Sequence, residues 1–369
     1  MAVSSRHMTR HHDYSRLFIA LGVIAGVMAL APIVAAIAGL SGTGVGPRTA
    51  FASAPSGEYV VFGRNEGAVD VISVARPEDP GALTEITRVP HIDGFTSTGA
   101  VSPDGRRLAL ISVDGGTASH PVASLNVIDM ETGRITRAAA NVTPGQVPLW
   151  SPDGGDLVFT RMPSGNEVQG PIHLLRVSRN GDDGRTLREF ANVLGVYPSG
   201  YDFEGRLVTV VLDGSGSAVD RDGAGRTALS SSLTRDWKVS PDGRQIAFVE
   251  VQTASGVAYL ARTARLDGRT VEALSAAVSA LGTAWDPATN SASFGVEPAG
   301  ADPTGRIQSL TAPGFDVPLG YSASGKALIV NHWSGASFAE PGRPQLQVLA
   351  GGGRETYEDQ TRFYGWASR

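Results

Sequence analysis

Short apolar runs along this chain alternate with tight polar breaks, and the breaks themselves repeat. The clearest copies are AVSPDGRRLALISV from Ala100, LWSPDGGDLVFTR from Leu149 and KVSPDGRQIAFVEV from Lys238. Weaker copies are SAPSGEYVVFGR from Ser53, GYDFEGRLVTVVL from Gly200, AWDPATNSASFGV from Ala284 and GYSASGKALIVNHW from Gly320. In each, a short strand runs into a polar turn and out into a second strand. The second strand's apolar, β-branched run fits burial on both faces. Within the turn, Pro sets φ near −65°, Asp bonds back to the chain and Gly supplies a positive φ. The second turn residue falls at Pro55, Pro103, Pro152, Phe203, Pro241, Pro287 and Ala323, a recurrence every 36–51 residues. A motif at such a period marks a repeat architecture.

Each unit continues into a third strand and a second turn, as in SLNVIDMETGRITRA (Ser124 to Ala138), HLLRVSRNGDDGRTLREF (His173 to Phe190) and YLARTARLDGRTVEAL (Tyr259 to Leu274). Four strands per unit and seven units predict an all-β fold, a seven-bladed β-propeller over residues 49–369. Two residues before the marker stand Ser53, Val101, Trp150, Tyr201, Val239, Trp285 and Tyr321. Large side chains in this slot are expected to pack between neighbouring blades. Arg362 to Ser368 repeats the first-strand pattern with Trp366 in the slot. The C-terminus is therefore expected to close the ring in the blade begun near residue 50, beside Thr49–Ser53 or in its place.

A different pattern precedes the repeats. Leu17 to Leu40 (LFIALGVIAGVMALAPIVAAIAGL) carries no charge, and its 24 residues would make a helix of roughly 36 Å, enough to cross a bilayer. Arg6, Arg10 and Arg16 precede it against Asp13 alone, so the positive-inside rule puts the N-terminus in the cytoplasm. The expected organisation is a cytoplasmic tail (1–16), a transmembrane signal-anchor helix (17–40), a Gly-rich linker (41–48) and the propeller (49–369). Ala36-Ile37-Ala38 before Gly39 also fits a cleavage site, so a cleaved signal peptide is the other reading. Both place the propeller outside the cytoplasm, periplasmic or on the cell surface.

Composition narrows the chemistry. The chain of 369 residues has 46 Gly and 22 Pro, in keeping with many turns, and no Cys, which excludes disulfides, thiolate metal sites and a cysteine nucleophile. The net charge of −5 offers no basic field for nucleic acid. Lysine occurs only at 238 and 326, so nearly all cations are arginine, a bias of GC-rich, bacterial coding sequences.

The Ser-Pro-Asp-Gly repeat, intact at 102–105, 151–154 and 240–243, resembles the WD40-like (PD40) repeat of the TolB-type propeller family. The resemblance covers roughly residues 49–369. It implies the propeller fold and leaves activity open, because that family includes periplasmic interaction modules and propellers that gate serine peptidases. The small α/β domain of TolB and a hydrolase domain are both missing from this chain.

No residue emerges as catalytic, cofactor-binding or metal-binding. A nucleophile elbow and an H-E-x-x-H signature are absent. His91, His120, His173 and His332 fall on different blades and read as surface or loop residues. Asp104, Asp153 and Asp242 read as turn formers. Asp220-Arg-Asp-Gly and Asn180-Gly-Asp-Asp-Gly fall short of an EF-hand loop. Gly42, Gly44 and Gly46 follow an apolar stretch instead of a strand, so they read as linker and not as a dinucleotide fingerprint. Asn141-Val-Thr143 is a formal glycosylation sequon. The functional expectation is a membrane-anchored binding or scaffold module with a protein partner in the cell envelope or a membrane complex. The alternative is a propeller enzyme of lactonase, hydrolase or lyase type, with a metal-dependent site at the mouth of the channel.

Overall fold

The computed structural model describes residues 49–162, 170–253, 258–267, 271–273, 279–297, 314–337 and 339–369. All of them belong to one compact unit, Gly44–Arg369. Glu58–Asn65 (β1), Val69–Arg76 (β2) and Asp79–Pro90 (β3) are the second to fourth strands of blade 1. Blade 2 is Thr98–Val101 (β4), Arg107–Gly116 (β5), Pro121–Asp129 (β6) and Ile135–Val142 (β7). Blade 3 is Leu149–Trp150 (β8), Asp156–Arg161 (β9), Ile172–Ser178 (β10) and Arg185–Phe190 (β11). Blade 4 is Gly195–Tyr201 (β12), Leu207–Asp213 (β13), Gly216–Arg221 (β14) and Gly225–Ser230 (β15). Blade 5 is Leu233–Val239 (β16), Gln245–Gln252 (β17), Ala258–Arg265 (β18) and Val271–Ala273 (β19). A two-stranded sheet follows, Ser279–Asp286 (β20) and Ser291–Glu297 (β21). Blade 6 is Phe315–Tyr321 (β22), Ala327–Trp333 (β23), Pro344–Ala350 (β24) and Gly353–Tyr357 (β25). Arg362–Ser368 (β26) then pairs antiparallel with β1 and supplies the first strand of blade 1.

Two expectations are corrected. Among the described residues the propeller has six four-stranded blades, not seven, because the repeat at Ala284 forms only a hairpin there. The motif that repeats is the turn between first and second strands, so its spacing counts hairpins and not complete blades. The transmembrane helix expected over 17–40 lies outside the described residues. Among the described residues no helix is long and apolar enough to cross a membrane, and the only helical element is a 3-10 turn at Ala50–Ser53.

Burial follows the radius of the ring. Second strands are buried along most of their length, as in β5 and β17, because they are covered on both faces. Fourth strands such as β11 and β7 are mostly exposed and form the rim. First strands are only partly exposed and lie against one another from sheet to sheet, so they surround the axis. Apolar clusters fill the seams. One joins Val61, Ile72 and Val74 of blade 1 to Leu108, Leu110 and Ile128 of blade 2. Another closes the circle, packing Ile329 and Val348 of blade 6 against Val60 and Phe62 of blade 1.

The aromatic slot does more than pack. The indole N–H groups of Trp150, Trp285 and Trp366 donate to the carbonyls of Ala100, Lys238 and Gly320 at 2.8, 2.8 and 3.3 Å. Each acceptor lies on the first strand of the preceding sheet, so each bond stitches one seam. Ser53 does not share this role: it belongs to the 3-10 turn, and Trp366 fills the slot in blade 1.

Candidate functional site

The antiparallel order gives the ring two unlike ends. Turns between first and second strands, and between third and fourth, share one end; all other connections share the opposite one, called here the loop face. Asp104, Asp153 and Asp242 lie at the turn end, and each accepts from the Ser two residues earlier at 2.5–2.6 Å. The same carboxylates accept backbone N–H groups of Arg106, Gly155 and Arg244 at 3.0–3.1 Å. Burial raises the pKa of Asp104 and Asp242, but these hydrogen bonds outweigh it and hold all three carboxyls below their ordinary value. They complete turns, as expected from the sequence. The two calcium-like stretches fall between third and fourth strands, and Asp220 is buried against Arg188 at 2.7 Å.

The histidines share an end that the sequence did not reveal. The strand directions put His91, His120, His173 and His332 all toward the loop face, on four different blades. Two of them are buried: His91 in a loop after β3, and His332 within β23, where the surface or loop reading is corrected. His91 lies 3.5 Å from Asp70, whose other oxygen accepts from the Ser97 hydroxyl. His332 Nδ1 lies 2.8 Å from Asp316, which also accepts from both terminal nitrogens of Arg354 at 3.0 and 2.7 Å. His120 is exposed, and His173 lies 3.3 Å from Glu189. Each buried histidine therefore has an acidic partner on its own blade, which only strand register could bring together. Among the described residues no three His, Asp or Glu side chains converge as a metal site.

Two other features stand out. On the loop face, large apolar side chains meet water: Val122 at 38%, Val147 at 53%, Met162 at 50% and Leu194 at 64% exposure. Gln146 Nε2 donates to the Val196 carbonyl at 3.0 Å, so Val147 and Leu194 flank one seam between blades 3 and 4. Lys238 lies on β16, the first strand of blade 5. The residue reaches solvent, and the protein atoms around its ammonium lower its pKa despite Asp236 nearby. No motif flagged either feature; the only hint was the rarity of lysine.

With this geometry in view, the solved structures can be compared. TolB from Acinetobacter baumannii superposes with a TM-score of 0.52 at 14% identity, over 85% of this chain and 66% of that one. This chain therefore spans just under two thirds of that protein's length. A putative TolB from Agrobacterium tumefaciens matches at 16% identity and TM-score 0.46, over 84% of this chain and 91% of that one. The β-propeller domain of the Trilobed protease from Pyrococcus furiosus matches at 10% identity and TM-score 0.47, over 83% and 98%. The structural neighbours are thus TolB-like and other propeller proteins. No protein-family model and no curated protein matches the sequence, so the PD40 repeat family is not confirmed. Identity this low speaks for the fold alone.

Proposed function

We propose that this chain is an extracytoplasmic binding or scaffold module that docks a protein of the cell envelope or of a membrane complex. The observation that carries the proposal is the loop face, where Val122, Val147, Met162 and Leu194 stand in water on neighbouring blades. Exposed apolar side chains grouped on one face of a rigid ring are the usual mark of an interaction surface. Location is part of the same proposal: the uncharged stretch 17–40, behind Arg6, Arg10 and Arg16, holds the ring at the membrane or exports it. A rigid ring held there would raise the effective concentration of its binding face.

The test compares two forms of the full chain, solubilised in mild detergent and used to capture envelope proteins. Val147→Asp with Leu194→Asp should strip the captured partner at least tenfold while leaving the thermal midpoint within about 2 °C, since both side chains are exposed. Equal capture by both forms would overturn docking at this face.

A further inference from the structure

We propose that His91 and Asp70 form a pH-sensitive latch on the loop of residues 92–97, which joins blades 1 and 2 on the loop face. The latch holds this loop while His91 is protonated and loosens it when the proton leaves. It goes beyond docking at the loop face and does not depend on it.

Asp70 stands at the start of β2 and His91 directly after β3, and both side chains are only 1% exposed. The loop is tied to them at both ends. At its start, His91 Nδ1 donates to the Ile92 carbonyl at 2.8 Å. At its end, the Ser97 N–H donates to Asp70 at 3.2 Å, and the Ser97 hydroxyl donates to the same oxygen. Between these ends the loop carries Ile92 and Phe95, which pack on the apolar seam of blades 2 and 3.

Asn65 gives the pair two arrangements. Its Nδ2 lies 3.2 Å from His91 Nε2 and 3.3 Å from Asp70. With both ring nitrogens protonated, Nε2 donates towards the Asp70 carboxylate, 3.5 Å away. With Nε2 bare it accepts from Asn65 instead, and the carboxylate loses its cation. The loop then loses the charge that strengthens its bonds at both ends.

The other charged groups around the pair leave this exchange to His91. Glu66, at the turn between β1 and β2, is taken up by Arg64 and Arg88 at 2.7 and 2.9 Å. Asp93 in the loop adds to the attraction for a protonated ring. On β26, Arg362 donates to Thr96. The Tyr364 hydroxyl is buried without a hydrogen-bond partner among the described residues, and burial, with a smaller part from Asp70, raises its pKa and keeps it un-ionised. The bond to Asp70 raises the His91 pKa above its ordinary 6.5, against burial. The latch is therefore closed below that value and opens as pH rises through the folded one. A loosened loop would present Ile92 and Phe95 on the loop face; that consequence alone rests on the docking reading.

Hydrogen–deuterium exchange of the full chain in mild detergent reads the latch without any variant. Protection of residues 92–97, corrected for the intrinsic pH dependence of exchange, should fall about tenfold between about pH 6 and 9. Protection of β17 should stay constant over the same range. The midpoint of the fall should coincide with the NMR titration of the His91 ring, assigned with His91→Gln. In Asp70→Asn, residues 92–97 should exchange faster at pH 6 and show no such fall. Constant protection of these residues in the parent, an equal fall in β17, or a midpoint away from that of His91 would overturn the proposal.

Discussion

Glu58 completes a turn that belongs to another blade. In blade 6 the turn reads Ser322-Ala323-Ser324-Gly325 and lacks the aspartate of the intact copies. Glu58 of blade 1 reaches across the seam and accepts from the Ser324 N–H at 2.9 Å and its hydroxyl at 2.6 Å. Burial raises the Glu58 pKa, but the bonds from Ser324 outweigh it and hold the carboxyl below its ordinary value. Glu58→Ala is expected to cost about 1–2 kcal/mol in urea unfolding; an unchanged midpoint would show that water replaces the carboxylate. His91 and Asp70 give a pH-dependent prediction. Burial works to raise the Asp70 pKa, yet bonds from His91 and Ser97 hold it low; the bond to Asp70 raises that of His91 against burial. The lowered aspartate contributes fully above its unfolded value near pH 4 and less as pH falls through its folded pKa. The raised histidine contributes fully below its unfolded value near 6.5 and less as pH rises through its folded pKa. The stability gap between the parent and His91→Gln should therefore be widest between about pH 4 and 6.5, by roughly 1–2 kcal/mol, and narrow on both sides. A gap that does not vary from pH 3 to 9 would exclude the ion pair as its source. Neither partnership was legible in the sequence, since Glu58 and Ser324, or Asp70 and His91, meet only through strand register.

At the scale of the element, the Ser-Pro-Asp-Gly turns were read correctly, down to the aspartate that closes each of them. What the letters hid is that the glycine serves two constraints. Gly105 has φ +70°, and a Cβ there would come within 2.3 Å of the Ser368 nitrogen, backbone of the preceding blade. Gly154 has φ +66°, but its Cβ would meet only Pro103 at 3.7 Å. Alanine should therefore cost about 1 kcal/mol at 154 for the backbone angle alone, and severalfold more at 105. Paired denaturant curves check this, and equal costs would mean that the seam yields. Two of the copies that depart from the motif, those at Gly200 and Ala284, keep the chemistry by moving it. Asp202 and Asp286 replace the serine and accept backbone N–H groups of the turn themselves, at 3.0 Å from Glu204 and 2.9 Å from Ala288. A single carboxylate can thus sit at either end of the turn, which is why a strict pattern recognises some copies and misses others.

For the whole molecule, the decisive event is closure. β26 brings residues 362–369 to β1, some three hundred residues away in sequence, and Trp366 crosses the last seam to Gly320. Arg369 then donates its guanidinium to the Ala52 and Ala54 carbonyls and to Glu131, fastening the 3-10 turn beneath blade 2. Removing residues 362–369 should abolish the single cooperative transition, because blade 1 loses its first strand and with it part of the seam to blade 6; a truncated chain that still melts in one sharp step would refute this. The Trp366 repeat at the C-terminus showed that such a closure occurs, but not that its strand takes the inner place. By itself the sequence determined the all-β repeat, the turn chemistry, the residues that pack the seams and the uncharged stretch at 17–40, because each of these is local: a few consecutive side chains and their backbone angles suffice. Only the tertiary structure decided that six blades are four-stranded, that two histidines are buried on aspartates and that four apolar side chains share one face. Those outcomes depend on which strands lie side by side, and side-by-side placement is set by long-range register that no window of sequence contains.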